Sequence, residues 1–310
     1  MNVTPLRSPP RQTDTCDPES VQRDLAAWNH ERLTPGLHAD AGASALVADL
    51  RREHVMRFLE ADMVEGLRAE VSARAAKAPT DPEGLVAWFE ELKQTGPGQG
   101  DPLFPWLARA ATLDEMCWFL TQEAAGEAGF DDLVALTQIK MPSQAKLELA
   151  RNYWDEMGRG NASGMHGPML DRTVEEMHLH PTIEGTVTES LTLANVMTAL
   201  ATHRRYAFHS LGALGVVELT APGRVAQVSE GLKRLGAPPV ARKYFALHAV
   251  LDIEHSKAWN EEALKPVVAE RPEAAAWIAE GALMRLTCGL RCFDAYRGHL
   301  WAGPAAVAAE

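Results

Sequence analysis

Apolar residues recur every three or four positions along most of the chain, the spacing that places side chains on one face of an α-helix. Alternating runs of β-branched residues, which are typical of strands, are almost absent. The pattern therefore predicts an all-α protein. Its helices are expected near residues 20–32, 42–76, 83–94, 112–139, 143–157, 166–178, 187–220, 223–235, 239–265 and 271–300.

Short linkers join the predicted helices, which favours one bundle over a string of modules. The clearest break is residues 95–102, rich in glycine and proline. Residues 1–18 mix proline with scattered polar residues and cannot bury enough apolar surface to fold. We expect a disordered tail over 1–18, a single domain over 19–302 and a second tail over 303–310.

Composition narrows the class of protein. The net charge is -12 and no basic patch is present, which argues against a nucleic-acid partner. Apolar runs are broken well before the roughly 20 residues that a membrane helix needs, and residues 1–19 lack the apolar core of a secretory signal. We expect a cytoplasmic protein without membrane contact. Its four cysteines form no Cys-x-x-Cys and are expected to be free thiols.

The strongest chemical signal lies on the helix predicted at 239–265. His248, Asp252 and His255 recur at i, i+4 and i+7 and share one stripe, which Phe245 and Trp259 continue. Burying two imidazoles and a carboxylate without partners is costly, so something must compensate them. A metal ion would do so. The alternative is a hydrogen-bonded His-Asp-His network inside an ordinary core.

Three glutamates interrupt apolar stripes on two other predicted helices. Glu218 ends an apolar run in register with the leucines before it, and it is either buried for a reason or reaches solvent at a helix end before Pro222. Glu123 and Glu127 lie one turn apart on the inward stripe of the helix at 112–139. Either could bind a metal, and both could be surface residues, because glutamate is a common helix former.

A glycine-rich turn separates Glu156 from His166. The helix at 143–157 ends at this turn, and the histidine opens the next helix. The glycines indicate helix capping and not a nucleotide site, because the Gly-Lys-Ser/Thr of a P-loop is missing. On its own, His166 could equally be a cap or a surface residue.

Taken together, these segments supply imidazoles and carboxylates but no thiolate. Their number exceeds the four ligands of a tetrahedral zinc site. Oxygen and nitrogen donors in this number favour iron or manganese, and two metal ions bridged by carboxylates fit the count best. Such a centre can supply more than one electron to O2.

With these residues identified, the chain resembles the haem-oxygenase-like di-iron oxidases over roughly residues 100–262. The resemblance rests on the His-x3-Asp-x2-His of His248, Asp252 and His255, on Glu218 thirty residues upstream, and on Glu156 with a histidine ten residues later. The string Asn-Tyr-Trp-Asp-Glu-Met-Gly-Arg-Gly is similar to the subgroup of iron-containing redox enzymes. This resemblance implies the seven-helix haem oxygenase bundle without haem, here with extra N-terminal helices.

The resemblance also implies a ligand set. Glu127 is favoured over Glu123 as the first glutamate, because it stands just before Phe-Asp-Asp-Leu. One iron would be held by Glu127, His166 and His255 and the other by His248 and Asp252, with Glu218 bridging and Glu156 as a supplementary ligand. All of these are candidate catalytic residues as well.

By resemblance, two iron ions cycling between Fe(II) and Fe(III) would use O2 to oxidise a small molecule. N-oxygenation of an amine, guanidine or amino-acid-like metabolite is favoured by Glu156 together with His166. The alternative is oxidative C–C cleavage or decarboxylation of an amino or fatty acid. An external electron donor and a homodimer are compatible with either. Tyr206, His209 and Trp259 are candidate walls of the substrate pocket or else ordinary core residues.

Other classes of protein fit less well. A ferritin-like bundle needs two Glu-x-x-His motifs, and the chain offers one, at Glu175. A haem oxygenase would leave most of the polar residues unexplained, and a thiaminase-type enzyme would need a cysteine near the ligand helices. A non-catalytic helical metal-binding or interaction protein remains an alternative.

Overall fold

The computed structural model describes residues 17–36 and 42–302, and this part of the chain is all-α, as the hydrophobic pattern predicts. Its only β-pairing is an isolated antiparallel bridge between Met157 and Met165. The helices are α1 (Pro18–Leu33), α2 (Ala43–Ala75), α3 (Pro82–Thr95), α4 (Leu103–Arg109), α5 (Leu113–Gly126), α6 (Phe130–Thr137), α7 (Ser143–Glu156), α8 (His166–Glu176), α9 (Thr188–Thr202), α10 (Ala207–Arg234), α11 (Pro239–Ala258), α12 (Lys265–Glu270) and α13 (Ala274–Leu300).

Helix α10 is the centre of the bundle and packs against α4, α9, α11 and α13. Two glycines let α10 and α13 cross closely: a Cβ at Gly212 would lie 1.9 Å from the Ile278 carbonyl oxygen, and one at Gly281 equally close to that of His209. One large hydrophobic cluster is centred on α9, α10 and α13, and a second lies between α4, α5 and α10. The helices that carry the predicted ligands therefore pack around a rigid axis.

The helix predicted at 112–139 is wrong, because two helices occupy this stretch. Helix α5 ends at Gly126, Glu127 takes an extended backbone, and Gly129 has a positive φ of 74° that starts α6 at a new angle. Glu127 consequently lies at a break between helices. It does not share a continuous stripe with Glu123, and its orientation is set by the turn.

Two further boundaries differ from the prediction. The helix expected at 187–220 is interrupted after Thr202, where the ring of His203 accepts a hydrogen bond from the Arg205 amide at 3.2 Å and ends α9. Pro222, expected to separate two helices, lies inside α10. The packing of α10 on both sides of Pro222 outweighs the one backbone hydrogen bond that proline removes.

Helix α4 was not predicted, because seven residues are too few to show a helical period and Pro105 lies among them. At the other end of the chain, the predicted helix at 239–265 contains α11 and a π-helical turn over Trp259–Leu264 that leads into α12. The predicted stretch at 271–300 begins as a helix only at Ala274.

The predicted tails fall mostly on residues 1–16 and 303–310, outside the described residues. Of the first tail, Asp17 caps α1 and Pro18 is its first residue. No helix in the described part is long and apolar enough to cross a membrane. Cys117, Cys288 and Cys292 are free thiols, as expected, and Cys16 lies outside the described residues.

Candidate metal centre

The predicted ligands meet at one cavity between α6, α7, α8, α10 and α11. Its polar wall is made of Glu127, Asp131, Glu156, His166, Glu218, Tyr244, His248 and Asp252. His255 reaches the same place from one turn further along α11, with its Nδ1 atom 3.4 Å from Glu218 Oε1. Glu123 does not join them: it lines an adjoining cavity, where its carboxylate accepts a hydrogen bond from Tyr296 at 2.9 Å.

Helix α11 presents its three polar residues inwards, as the spacing predicts. Asp252 and His255 are 4% and 6% exposed, and Glu254 and Lys257 form an ion pair on the solvated side. The His248 Nδ1–H donates to the Tyr244 carbonyl oxygen at 2.8 Å. This bond fixes the ring and its tautomer, so that Nε2 is left to bind a metal ion.

The turn between α7 and α8 brings Glu156 and His166 together. Glu156 is the last residue of α7 and His166 the first of α8, and the bridge between Met157 and Met165 holds the two helix ends side by side. Gly158 makes this turn possible: its φ is 60°, and a Cβ there would lie 2.4 Å from the carbonyl carbon of Gly164. The resulting distance from Glu156 Oε2 to His166 Nδ1 is 2.6 Å.

The ligand atoms form two overlapping groups. One consists of Glu156, His166 and His248, and the other of Glu156, Glu218 and His255; in each group the atoms lie within 4.8 Å of one another. Glu156 belongs to both. This grouping differs from the allocation implied by the family resemblance, because His166 is grouped with His248 and not with His255.

Several buried ligand atoms at this site have no hydrogen-bond partner among the described residues. They are His166 Nδ1, Asp252 Oδ1 and His255 Nδ1. The two histidine nitrogens lie close to carboxylate oxygens but without the geometry of a hydrogen bond. Unsatisfied buried polar atoms cost free energy, and a cation between these lone pairs would satisfy them. The residues present therefore fit a bound metal ion.

Burial and mutual repulsion disfavour negative charge on the acids of this cavity. Burial, together with the nearby carboxylates of Glu218 and Glu156, raises the pKa of Asp252 to about 10. The pKa of Glu156 is also raised well above its ordinary value, mainly by burial and then by Glu218. Carboxylates packed this closely need compensating positive charge to ionise, which a divalent cation supplies.

The three histidines of the site differ in the direction of their pKa shifts. Burial lowers the pKa of His166 and of His248 to about 4, so both are neutral ligands at pH 7. Burial also acts to lower the pKa of His255, but the carboxylates of Glu218 and Asp155 outweigh it and raise that pKa to about 9. His255 must therefore lose a proton when it binds a metal ion.

Two residues that hold the ligands in place were not singled out from the sequence. Asn152 Nδ2 donates to Glu218 Oε1 at 2.6 Å, and Asp155 Oδ2 accepts from His255 Nε2 at 3.2 Å. Both lie on α7, four residues and one residue before Glu156. A carboxylate behind a ligating histidine is a recurrent arrangement at metal sites. The i, i+4 spacing of Asn152 and Glu156 on one helix was the available signal.

The three candidate pocket walls lie elsewhere, in the core. Tyr206 donates to Glu65 at 2.8 Å, His209 contacts Glu280 at 2.8 Å, and Trp259 Nε1 donates to the Leu211 carbonyl oxygen at 3.1 Å. None of them lines the metal cavity or the cavity beside it. All three pack in the core around α10.

Comparison with known proteins gives one family. No curated protein matches the chain. A family model described as iron-containing redox enzyme matches residues 117–290, more than half of the chain, and this stretch includes every residue of the candidate metal centre. A buried glutamate and histidine cluster compatible with iron agrees with that description. The chain therefore belongs to the iron-containing redox enzyme family and is an oxidoreductase with a haem-oxygenase-like fold.

Proposed function

We propose that this oxidoreductase is an O2-dependent non-haem di-iron enzyme that oxidises a small metabolite beside the metal centre. One observation carries the proposal: three imidazoles and the carboxylates of Glu156 and Glu218 form two overlapping ligand groups, and Glu127 and Asp252 line the same cavity. With neutral histidines, the four carboxylates of Glu127, Glu156, Glu218 and Asp252 carry four negative charges. Two divalent iron ions balance them.

The ligand groups suggest how each iron would be held. His166 and His248 would bind one iron, Glu218 and His255 the other, and Glu156 would be shared between them. Glu127 and Asp252, which line the same cavity, complete the set. Iron bound here supplies the electrons for the reduction of O2.

The other residues of the cavity position the ligands and exclude water. Asp155 orients the His255 ring, Asn152 fixes the Glu218 carboxylate, and the Tyr244 carbonyl fixes His248. Leu170, Val217 and Val225 supply apolar wall on the substrate side. A dry wall of this kind limits the hydrolysis and proton leakage that compete with oxidation.

We favour N-oxygenation of an amine, guanidine or amino-acid-like compound as the reaction. Glu156 supports this choice because it adds a carboxylate to both ligand groups, and extra anionic ligands stabilise the oxidised metal. The matching experiment loads the protein anaerobically with Fe(II), admits O2 with a panel of amines, and follows O2 uptake and product mass. We expect O2 uptake coupled to a product heavier by one oxygen atom. Uptake coupled to release of CO2 would indicate decarboxylation, and no uptake would indicate a non-catalytic metal-binding protein.

A further inference from the structure

A second cavity adjoins the metal centre. The two share six wall residues, so they lie side by side: Glu127, Leu170, Val217, Ala221, Val225 and Tyr244. The second cavity has a volume of about 130 Å³, and its remaining walls are largely apolar. This volume is several times the space that one water molecule needs, so a small ligand can enter it.

Four charged side chains lie in this apolar surrounding: Glu123, Arg224, Arg285 and the shared residue Glu127. Neither arginine has a carboxylate within 4.0 Å among the described residues. Two other partly buried arginines do have such partners, since Arg68 pairs with Glu280 and Arg297 with Asp101. Two guanidinium groups left without an anion in a cavity beside a reaction centre call for an anion from outside the chain.

Arg224 is held in place by its own surroundings. Its guanidinium lies 5.9 Å and 5.5 Å from the ring centroids of Phe104 and Phe293, and it donates to Thr220 Oγ1 at 3.2 Å. The hydrogen bond turns the guanidinium back along α10, towards the metal-binding end. Stacking and one hydrogen bond position the group but leave most of its donors free.

Arg285 lies opposite on α13 and also faces this space. Its Nη1 atom lies beside Gly289, where an added Cβ would be only 2.8 Å away. Arg285 lines this cavity together with Glu123 and Glu127, and Glu127 also lines the metal cavity. The Arg285 guanidinium therefore lies near the wall residues that the two cavities share.

Glu127, which lines both cavities, is a ligand of the proposed metal centre, so the charges left for this cavity are those of Glu123, Arg224 and Arg285. Glu123 can offset one of the two arginines at most, and its carboxylate is already a hydrogen-bond acceptor for Tyr296. One net positive charge or more therefore remains for a ligand. A carboxylate matches one net charge and the planar guanidinium donors, whereas a phosphate dianion would bring an excess of negative charge.

We propose that Arg224 and Arg285 bind the carboxylate of the substrate and so direct the other end of the molecule to the metal centre. This inference rests on the proposed function for its catalytic meaning, while the anion site itself can be tested separately. Glu218 and Arg224 are six residues apart, which separates their Cα atoms by about 9 Å along the helix. The Arg224 guanidinium points back towards Glu218, so the distance from the guanidinium to the metal ligands is shorter than this Cα separation. Such a distance suits a short acid of amino-acid size.

The first experiment uses the unaltered protein, both as purified and after anaerobic addition of Fe(II). Calorimetric titrations compare hexanoate, its neutral analogue hexanamide, and hexyl phosphate. We expect hexanoate to bind at least roughly tenfold more tightly than hexanamide. Equal affinity of the acid and the amide would overturn the proposal, and tighter binding of hexyl phosphate would overturn the choice of a carboxylate.

The second experiment uses Arg224→Gln and Arg285→Gln, with Arg291→Gln as the control because Arg291 lies on α13 but pairs with Glu70 at the surface. Each cavity variant should weaken hexanoate binding roughly tenfold or more and leave hexanamide unchanged, and the control should bind like the unaltered protein. Unchanged hexanoate affinity in a folded cavity variant would contradict the assignment. If a glutamine variant does not fold, Arg224→Lys and Arg285→Lys should retain part of the affinity.

The two proposals fail in different ways. Arginine-dependent binding of hexanoate in a protein that takes up no iron would support the anion site and contradict the di-iron proposal. Two bound iron ions with no preference for the acid over the amide would do the reverse.

Discussion

Two clusters of histidine and acidic residues lie against α10, and they differ in how their charges are balanced. In the first, here called the paired cluster (Glu65, Arg68, Tyr206, His209 and Glu280), Arg68 binds Glu280 at 3.0 Å and Glu65 at 2.8 Å. His209 Nε2 lies 2.8 Å from Glu280, and among the described residues its Nδ1 is the buried atom of this cluster left without a partner. In the metal centre, three buried ligand atoms have no hydrogen-bond partner among the described residues: His166 Nδ1, Asp252 Oδ1 and His255 Nδ1.

The pKa shifts of the acids follow the same division. In the paired cluster, burial raises the pKa of Glu280, but its bonds to His209 and Arg68 outweigh burial and lower that pKa overall. In the metal centre, nothing within the described chain outweighs burial for Asp252 or Glu156. The acids of the paired cluster thus have their charges balanced within the protein, whereas those of the metal centre do not, and the proposed cations would balance them. A cluster of buried polar residues therefore indicates a binding site when its atoms have no partners within the protein, and the number of polar residues alone does not.

The largest effect should come from removing one ligand of the metal centre. His248→Ala and Asp252→Ala should each reduce iron binding from two ions per chain to one or none without unfolding the bundle. Each variant removes a side chain that is proposed to bind iron directly. His209→Ala is the matched control in the paired cluster and should still bind two. Iron analysis with circular dichroism checks this. Full occupancy in either ligand variant would contradict the assignment.

Metal affinity should also depend strongly on pH. In the metal-free protein Asp252 and His255, with pKa values of about 10 and 9, hold protons at pH 7 that a metal ion must displace. Because the metal-free form binds more protons, affinity should rise with pH, by about tenfold per unit for each proton released. Titrations between pH 6 and pH 8 in buffers of different ionisation enthalpy measure this release. Affinity independent of pH would show that the acids are already ionised.

A smaller effect is expected from the residue behind His255. Asp155→Asn should weaken metal binding by about 10- to 100-fold without abolishing it, because Asp155 orients the ring but does not reach the metal. Arg159→Gln is the control, since Arg159 holds the same carboxylate from the surface, mainly through Oδ1 at 2.6 Å, and does not contact His255. If Asp155→Asn binds metal as tightly as the unaltered protein, the contact at 3.2 Å has no positioning role.

The smallest effect, and the one that contrasts the clusters most directly, is on the stability of the metal-free protein. Glu280→Gln should lower the free energy of unfolding by about 1–3 kcal/mol, because it removes the charged acceptor that Arg68 and His209 share and leaves Arg68 with Glu65 alone. Asp252→Asn should leave it unchanged or raise it, because it relieves an uncompensated buried acid. Urea denaturation of chelated samples measures both. Destabilisation of similar size in both variants would remove the distinction between the clusters.

Much of this fold could be predicted from the sequence, and part of the candidate metal centre could be predicted as well. The stripe of His248, Asp252 and His255 follows from helical spacing alone, and so does the burial of Phe245 and Trp259 beside it. Glu218 is 2% exposed, which resolves the alternative of a solvated helix end. The break at Gly129 was not predictable in the same way, because its positive φ depends on how α6 packs.

Residue spacing along the sequence could not predict which side chains on different helices contact each other. Nothing in the sequence pattern indicates that Asp155 meets His255 a hundred residues away, or that Glu156 stands between two histidine groups. The same limit explains His209 and Tyr206, which have the residue types of a site but find partners on α2 and α13. Composition identifies candidate ligands, and tertiary packing decides which of them remain unsatisfied.

Anomalous diffraction from crystals of the protein loaded anaerobically with Fe(II) tests the central claim most directly. We predict two iron peaks, one among Glu156, His166 and His248 and the other among Glu156, Glu218 and His255. A fully ordered site with no iron peak, or with iron bound away from these residues, would contradict the account.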